Sequence, residues 1–113
     1  IAAAGLSLLV ATNAYAQSMT TSEAIDLASM VGMGVGIGDK CKLDAGPLKN
    51  SFQRMKAADR FSELEKAALT RAYDQGLQSA RRQNLDAGAC SSARRIWNQQ
   101  VQTLSLSMAA AKH

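Results

Sequence analysis

Histidine is almost absent from this chain of 113 residues, and the single one, His113, is the last residue. Catalysis by a Ser-His-Asp or Cys-His arrangement needs a histidine held in a fixed orientation. A chain terminus seldom holds a side chain that way. Two thiols with no neighbouring histidine also make at most half of a zinc ligand set. We therefore expect neither a histidine-dependent enzyme nor a metal site.

Carboxylates are also few, with 9 Asp and Glu against 13 Lys and Arg, a net charge of +4. Glu63 and Glu65 are close in sequence, but residues two apart on a helix do not face each other. No pair of acids is therefore placed for general acid–base catalysis, and an enzyme could only use carboxylates that the sequence does not place. The basic residues form no run of five or more, so no tail of the kind that binds nucleic acid is expected.

Glycine is concentrated in the segment GMGVGIGD, residues 32–39. Neither phosphate-binding motif fits it: G-x-G-x-x-G would need glycine where Ile37 stands, and G-x-x-x-x-G-K fails because Asp39 follows Gly38. We expect no nucleotide and no other cofactor. Gly32 and Gly36 favour a helix that lets another backbone come close, and the alternative is that the segment from Gly32 to Gly38 frays into a loop before Cys41.

Residues 1–16 resemble a secretory signal peptide. The apolar run from Ile1 to Val10 has the length of its hydrophobic region, and Ala14-Tyr15-Ala16 fits the cleavage site. The charged region and the Met that should come first are missing, so we expect the numbering to start inside the precursor. The run is too short to span a bilayer. The sequence predicts a mature domain of residues 17–113, periplasmic or secreted, with no membrane span.

The chain has two cysteines, Cys41 and Cys90. In a small exported domain such a pair predicts one disulfide. A bridge closing a loop of this length would stabilise the fold by about 4 kcal/mol. A free thiol and an intermolecular bridge are the alternatives.

Four helices are predicted, with no strand-like alternation. Thr20 and Ser62 each precede a glutamate by three residues, the spacing of a capping box, and should begin the first and third helices. A second helix should follow the turn before Pro47, and the third should run to about Gln83. The third helix has two apolar series, and the fourth, beginning near Cys90, has one. These series are Leu64, Ala68, Ala72 and Gly76; Leu69, Tyr73, Leu77 and Ala80; and Cys90, Ala93, Trp97, Val101, Leu104 and Met108.

The predicted fold is a small, irregular, all-α four-helix bundle stapled by one disulfide. Cys41, just past the first helix, would be tied to Cys90, pointing into the core at the start of the fourth. The closed loop would contain a hairpin of the second and third helices. The terminal segment MAAAKH is expected to fray.

Two arginine pairs are the candidate contact residues. Arg81 and Arg82 end the third helix, whereas Arg94 and Arg95 lie near Trp97 in the fourth. Arginine forks beside an aromatic ring can bind phosphate, carboxylate or a base. The alternative is that the arginines only coat the solvent side while Trp97 is in the core.

The chain resembles a group of small exported helical proteins of alphaproteobacteria with two cysteines. The resemblance rests on AYDQGLQSAR and CSSARRIW, with matching positions Cys41, Tyr73, Gly76 and Cys90. It implies export and a helical fold but no activity. A second resemblance, to periplasmic acid-stress chaperones, rests on size, helices and one disulfide, although those proteins depend on many carboxylates and this chain has few.

Three functions follow as hypotheses. The first is a non-enzymatic envelope protein that binds an as yet unspecified protein or an anionic component. The second is a periplasmic stress chaperone that exposes apolar surface at acid pH, and the third is an enzyme that uses carboxylates not placed here.

Overall fold

The computed structural model describes residues 19–113, so the predicted leader, residues 1–16, lies outside this range. Within it the chain forms four helices and no strand. The helices are α1, Thr21–Lys40; α2, Gly46–Lys56; α3, Glu63–Arg82; and α4, Ala87–Ala111. The all-α fold of four helices is confirmed.

Both predicted capping boxes are formed. The Thr20 hydroxyl accepts a hydrogen bond from the backbone N–H of Glu23 at 3.1 Å, and the Glu23 carboxylate accepts one from the backbone N–H of Thr20 at 2.9 Å. Ser62 and Glu65 repeat the arrangement at the start of α3, at 3.1 and 2.8 Å. These local bonds satisfy backbone donors that have no partner inside the helix, which is why both helices begin where the sequence places them.

The glycine-rich segment is helical throughout, because α1 continues to Lys40. A Cβ on Gly32 would collide with the carbonyl oxygen of Tyr73, and a Cβ on Gly36 would lie 2.6 Å from the Cβ of Ala80. The expected close approach is therefore real, and its partner is α3. Gly76 on α3 completes it, since a Cβ there would collide with a backbone carbonyl of α1.

Helices α1 and α3 run parallel. Near their first turns the Thr21 hydroxyl donates to the Glu65 carboxylate at 2.8 Å. At their last turns the Lys40 ammonium donates to the backbone carbonyl of Gln83, the residue that caps α3. Since equivalent ends meet, the two backbones stay in register along the pair.

Helix α2 packs chiefly with α4. Both helices run antiparallel to α1. Gly34 of α1 approaches Leu48 and Leu104, and Gly38 approaches Trp97. The largest fully buried side chains lie between the α1–α3 pair and the α2–α4 pair. They are Phe52, Leu48, Met55, Leu69, Met108, Val31 and Val35. The expected hairpin of the second and third helices is only loosely packed. The rings of Phe52 and Tyr73 stack across it, with centroids 4.4 Å apart.

The end of the chain does not fray as expected. Helix α4 continues to Ala111, and both Met108 and Ala111 are buried. The guanidinium of Arg60 donates to the Ala111 carbonyl at 3.0 Å and to the Met19 carbonyl at 2.6 Å. Arg60 thus ties the end of α4 to the segment before α1, a long-range contact that sequence periodicity does not reveal.

The predicted stripe of α3 is wrong at Leu64, which is 85% exposed. A step of four residues advances about 400° around a helix, so each step drifts about 40°. Leu64 lies three such steps before Gly76 and has rotated about 120° away from the packed side. The second series describes the packed face better, because Leu69 and Ala80 are fully buried and no member of the series is exposed.

Candidate binding surfaces at the disulfide end

The predicted disulfide between Cys41 and Cys90 is present, with Cα atoms 5.2 Å apart and 49 residues between them in sequence. Cys41 caps the C-terminus of α1 and is buried. Cys90 lies in the first turn of α4 and is only half-buried, not in the core as expected. Cys90 is less buried because no residue in the first half of α4 is buried, so this half lies at the edge of the bundle.

Trp97 provides a second attachment for this half of α4. Its indole N–H donates to the backbone carbonyl of Asp44 at 3.1 Å. Its ring lies over Gly38, where an added Cβ would be 2.6 Å from the ring edge. Trp97 is half-buried, so it lies at the margin of the core instead of inside it.

The disulfide end of the molecule, residues 39–44 and 81–95, carries most of the excess positive charge. It contains six basic residues and three acidic ones, a balance of +3 within the chain total of +4. The basic residues are Lys40, Lys42, Arg81, Arg82, Arg94 and Arg95, and the acidic ones are Asp39, Asp44 and Asp86. Helices α1 and α3 end here and α4 begins here, so the topology places these charges at one end.

The four candidate arginines are all exposed. None of them takes part in an ion pair with another of the described residues. The nearby ion pair joins Lys49 to Asp39 at 3.8 Å. Arg95 donates only to the Ser92 hydroxyl of its own helix, at 3.3 Å. The two pairs lie on helices that do not pack against each other, so they form two contact points and not one cluster.

A second surface, the α1–α4 groove, runs between these two helices. Two adjoining hollows of about 130 and 200 Å³ share Gly34, Ile37, Gln100 and Leu104. No charged residue is among the described residues that line them. Two apolar side chains at its margins are unusually open to solvent: Met30 is 57% exposed and Ile96 is 48% exposed.

The groove was not predicted from the sequence. The missing side chain of Gly34 deepens its floor, but in sequence that glycine is indistinguishable from its neighbours. The available signal was that Met30 and Ile37 are seven residues apart, on one face of α1 and away from the face that holds Gly32.

Glu65 and Tyr73 have shifted pKa values; Glu65 lies at a helix cap and Tyr73 lies in a contact between helices. Hydrogen bonds from the Ser62 backbone and the Thr21 hydroxyl lower the pKa of Glu65. Burial raises the pKa of Tyr73, and the carboxylates of Asp39 and Asp74 raise it further. Residues 19–113 contain no group of three or more potential metal ligands. The surfaces that these residues offer for binding are the basic disulfide end and the apolar α1–α4 groove.

No protein-family model matches the chain, and neither the curated proteins nor the solved structures contain a match. Among the helices formed by residues 19–113, none has the length and apolar character needed to cross a membrane.

Proposed function

We propose that this protein is exported and acts as a non-enzymatic binding protein of the cell envelope, holding an anionic envelope component at its disulfide end. The observation that carries the proposal is the concentration of exposed basic residues there, with a balance of +3 and with no ion pair to any of the four arginines among the described residues. Arginine guanidinium groups bind phosphate and carboxylate oxygens through paired N–H donors. Arginines with no internal ion pair keep those donors available.

Export is supported by two independent features. Disulfides persist in oxidising compartments and are rare in the cytosol, and Cys41 and Cys90 are joined. The apolar run and A-x-A sequence of residues 1–16 fit a cleaved leader. The resemblance to exported two-cysteine helical proteins points the same way. On these grounds we propose that the protein resides in the periplasm or outside the cell.

A binding role is favoured over an enzymatic one by the positions of the perturbed groups. Shifted pKa values often mark active sites, but Glu65 accepts capping bonds at a helix start and Tyr73 is stacked against Phe52. Their shifts are accounted for by contacts that hold the helices together. Neither residue lines the α1–α4 groove.

The ligand chemistry is a phosphate-bearing anion, either a lipid headgroup or a soluble polyanion. Co-sedimentation with vesicles that contain phosphatidylglycerol, compared with phosphatidylcholine alone, tests the first source. Competition by soluble polyphosphate tests the second. We expect binding only to the anionic vesicles or the polyanion, and we expect it to weaken as salt rises, because exposed charges are screened.

Substitution of Arg81, Arg82, Arg94 and Arg95 together by glutamine should weaken this binding at least about tenfold, because each basic residue near an anionic surface contributes about 1 kcal/mol. The matched control removes the same charge elsewhere, through Arg54, Lys66, Arg71 and Lys112 to glutamine, and should retain most of the binding. Equal losses in the two variants, or no binding by the unmodified protein, would contradict the proposal.

A further inference from the structure

We propose that the Cys41–Cys90 disulfide is a redox switch: a dithiol protein reduces it in the folded molecule, and reduction releases the first half of α4, residues 87–99, from the bundle. The exchange at the bridge is independent of what the disulfide end binds. Its effect on anion binding rests on the proposed function.

The first half of α4 is weakly held apart from the bridge. None of residues 87–99 is buried, and the buried residues of this helix begin at Leu104. Helix α4 does not pack against α3. Trp97 is the main other attachment, because its indole N–H donates to the Asp44 carbonyl at 3.1 Å and its ring lies over Gly38. Local opening costs least where few apolar contacts are buried, so this half can leave the bundle while the other helices stay folded.

The two cysteines of the bridge are anchored unequally. Cys41 is 4% exposed, and it caps α1 through a hydrogen bond from its backbone N–H to the Ile37 carbonyl at 2.9 Å. Cys90 is half-buried and lies in the first turn of the weakly held half. Cys90 therefore offers the more accessible sulfur for attack, and it is the cysteine that moves away when the bridge is cut.

The charge around the bridge favours an approaching thiolate. The disulfide end has a balance of +3. Lys42 follows Cys41 directly, Arg94 lies one turn after Cys90, and both basic residues are exposed. Neighbouring positive charge stabilises a thiolate, and a basic surface attracts an anion.

The exchange is a two-electron reduction in two steps. A thiolate of the dithiol protein attacks the Cys90 sulfur and forms a mixed disulfide, while the Cys41 sulfur leaves as a thiolate and takes a proton from water. The second thiol of the dithiol protein loses its proton and attacks its own partner sulfur in the mixed disulfide. Cys90 then leaves as a thiolate and is protonated, and the dithiol protein, which has lost two electrons, carries the new disulfide.

Release of this half of α4 divides the cationic end. Arg94 and Arg95 lie on the released half, whereas Arg81 and Arg82 end α3 and stay with the bundle. In the oxidised protein the two pairs are held at a fixed separation and can contact one anionic surface together. A flexible connection lowers the effective concentration of the second contact, so reduction should weaken anion binding.

Reduced glutathione is the probe for the attacked sulfur, because a monothiol cannot resolve the mixed disulfide by itself. The oxidised protein is exposed to excess glutathione under native conditions, quenched with acid and mapped by peptide mass spectrometry. We expect at least about tenfold more glutathione on Cys90 than on Cys41, because exchange follows the accessibility of each sulfur. A preference for Cys41, equal modification of both, or no adduct at any glutathione concentration overturns the proposal.

The rate of reduction by dithiothreitol, measured in urea below the unfolding transition, tests whether the molecule opens locally. Opening half a helix exposes little surface, so the rate should rise with urea much less steeply than global unfolding does. Trp97→Phe removes the indole donor and should speed reduction at least about threefold, because a lost hydrogen bond makes opening easier. The matched control is Leu69→Val, in the core of α3, which does not contact α4. It should leave the rate unchanged.

Circular dichroism checks that both variants and the reduced protein keep their helices. Equal acceleration by Trp97→Phe and Leu69→Val, a full urea dependence, or loss of most helix on reduction would show that the bridge is cut only when the whole molecule unfolds. Each of these results overturns the proposal.

Vesicle binding separates this proposal from the proposed function. The reduced protein, with its thiols blocked by iodoacetamide, should bind phosphatidylglycerol vesicles at least about threefold more weakly than the oxidised protein. Equal binding by the two forms overturns the control of the ligand by the switch. Absence of binding by the oxidised protein contradicts the proposed function alone, and the exchange measurements then still decide whether the bridge is a switch.

Discussion

At the scale of single residues, the pairing of α1 with α3 depends on positions that have no side chain. Gly32 and Gly76 each face a backbone carbonyl of the opposite helix, and neither carbonyl can move without displacing its helix. Such backbone proximity lets dispersion contacts accumulate along both helices. Thr21 and Lys40 then fix the register with one hydrogen bond at each end.

Gly76→Ala should therefore destabilise the protein by about 3 kcal/mol, at the upper end of the usual cost of overpacking, because the added methyl collides with a backbone oxygen. The free energy of unfolding measured in urea checks this. Gly88→Ala is the matched control: its added Cβ would meet only the Asp86 carboxylate, at an ordinary 3.4 Å. It should be neutral or stabilising by up to about 1 kcal/mol. Similar losses in both variants would show that the close approach of α1 and α3 is not what Gly76 provides.

Residue patterns predict best what is decided within a few residues of the chain. The sequence predicts the two capping boxes at Thr20 and Ser62 because each joins residues only three positions apart. The role of Gly32 is not predictable in this way, because the Tyr73 carbonyl that it faces lies 41 positions further along the chain. Arg60 carries no such local signal, because its guanidinium contacts carbonyls at both ends of the described chain.

At the scale of the helices, α4 is divided into two unequal halves. Its buried residues are Leu104, Met108 and Ala111, all in the second half. The first half is attached mainly through the disulfide at Cys90 and through Trp97. This half also forms one wall of the α1–α4 groove, so the groove depends on those two attachments.

Replacing both cysteines by serine should release the first half of α4 while the second half stays packed. Amide hydrogen exchange should accelerate between about residues 88 and 100, with protection retained from Leu104 onward, because local opening follows the number of buried contacts. The whole fold should lose up to about 4 kcal/mol, the loop-closure contribution of the bridge. Simultaneous loss of protection in all four helices would show instead that α4 does not open as a separate unit.

The pairing of the helices was less predictable than their existence. Two cysteines allow one intramolecular bridge, so the link between α1 and α4 followed from counting. The parallel pairing of α1 with α3 depends on tertiary contacts of glycines that are distant from each other in sequence. The groove could not be predicted because it depends on how far the first half of α4 stands from the core, and that distance is set by Trp97 against Gly38.

At the scale of the whole molecule, charge and apolar surface are separated. The basic residues in excess lie at the disulfide end, and the α1–α4 groove is uncharged along its length. The two surfaces can therefore serve different contacts, one electrostatic and sensitive to salt, the other apolar and much less so. The disulfide connects them, because it fixes the cationic end and holds the wall of the groove.

The proposed function depends most on export, which the Cys41–Cys90 disulfide favours because disulfides persist in oxidising compartments and are rare in the cytosol. Intact-mass spectrometry of the protein isolated from its native cells, alkylated with and without prior reduction, tests this directly. We predict a chain that begins at Gln17 and takes up two alkyl groups only after reduction. A chain that retains residues 1–16, or one whose two thiols are alkylated without reductant, would contradict the account.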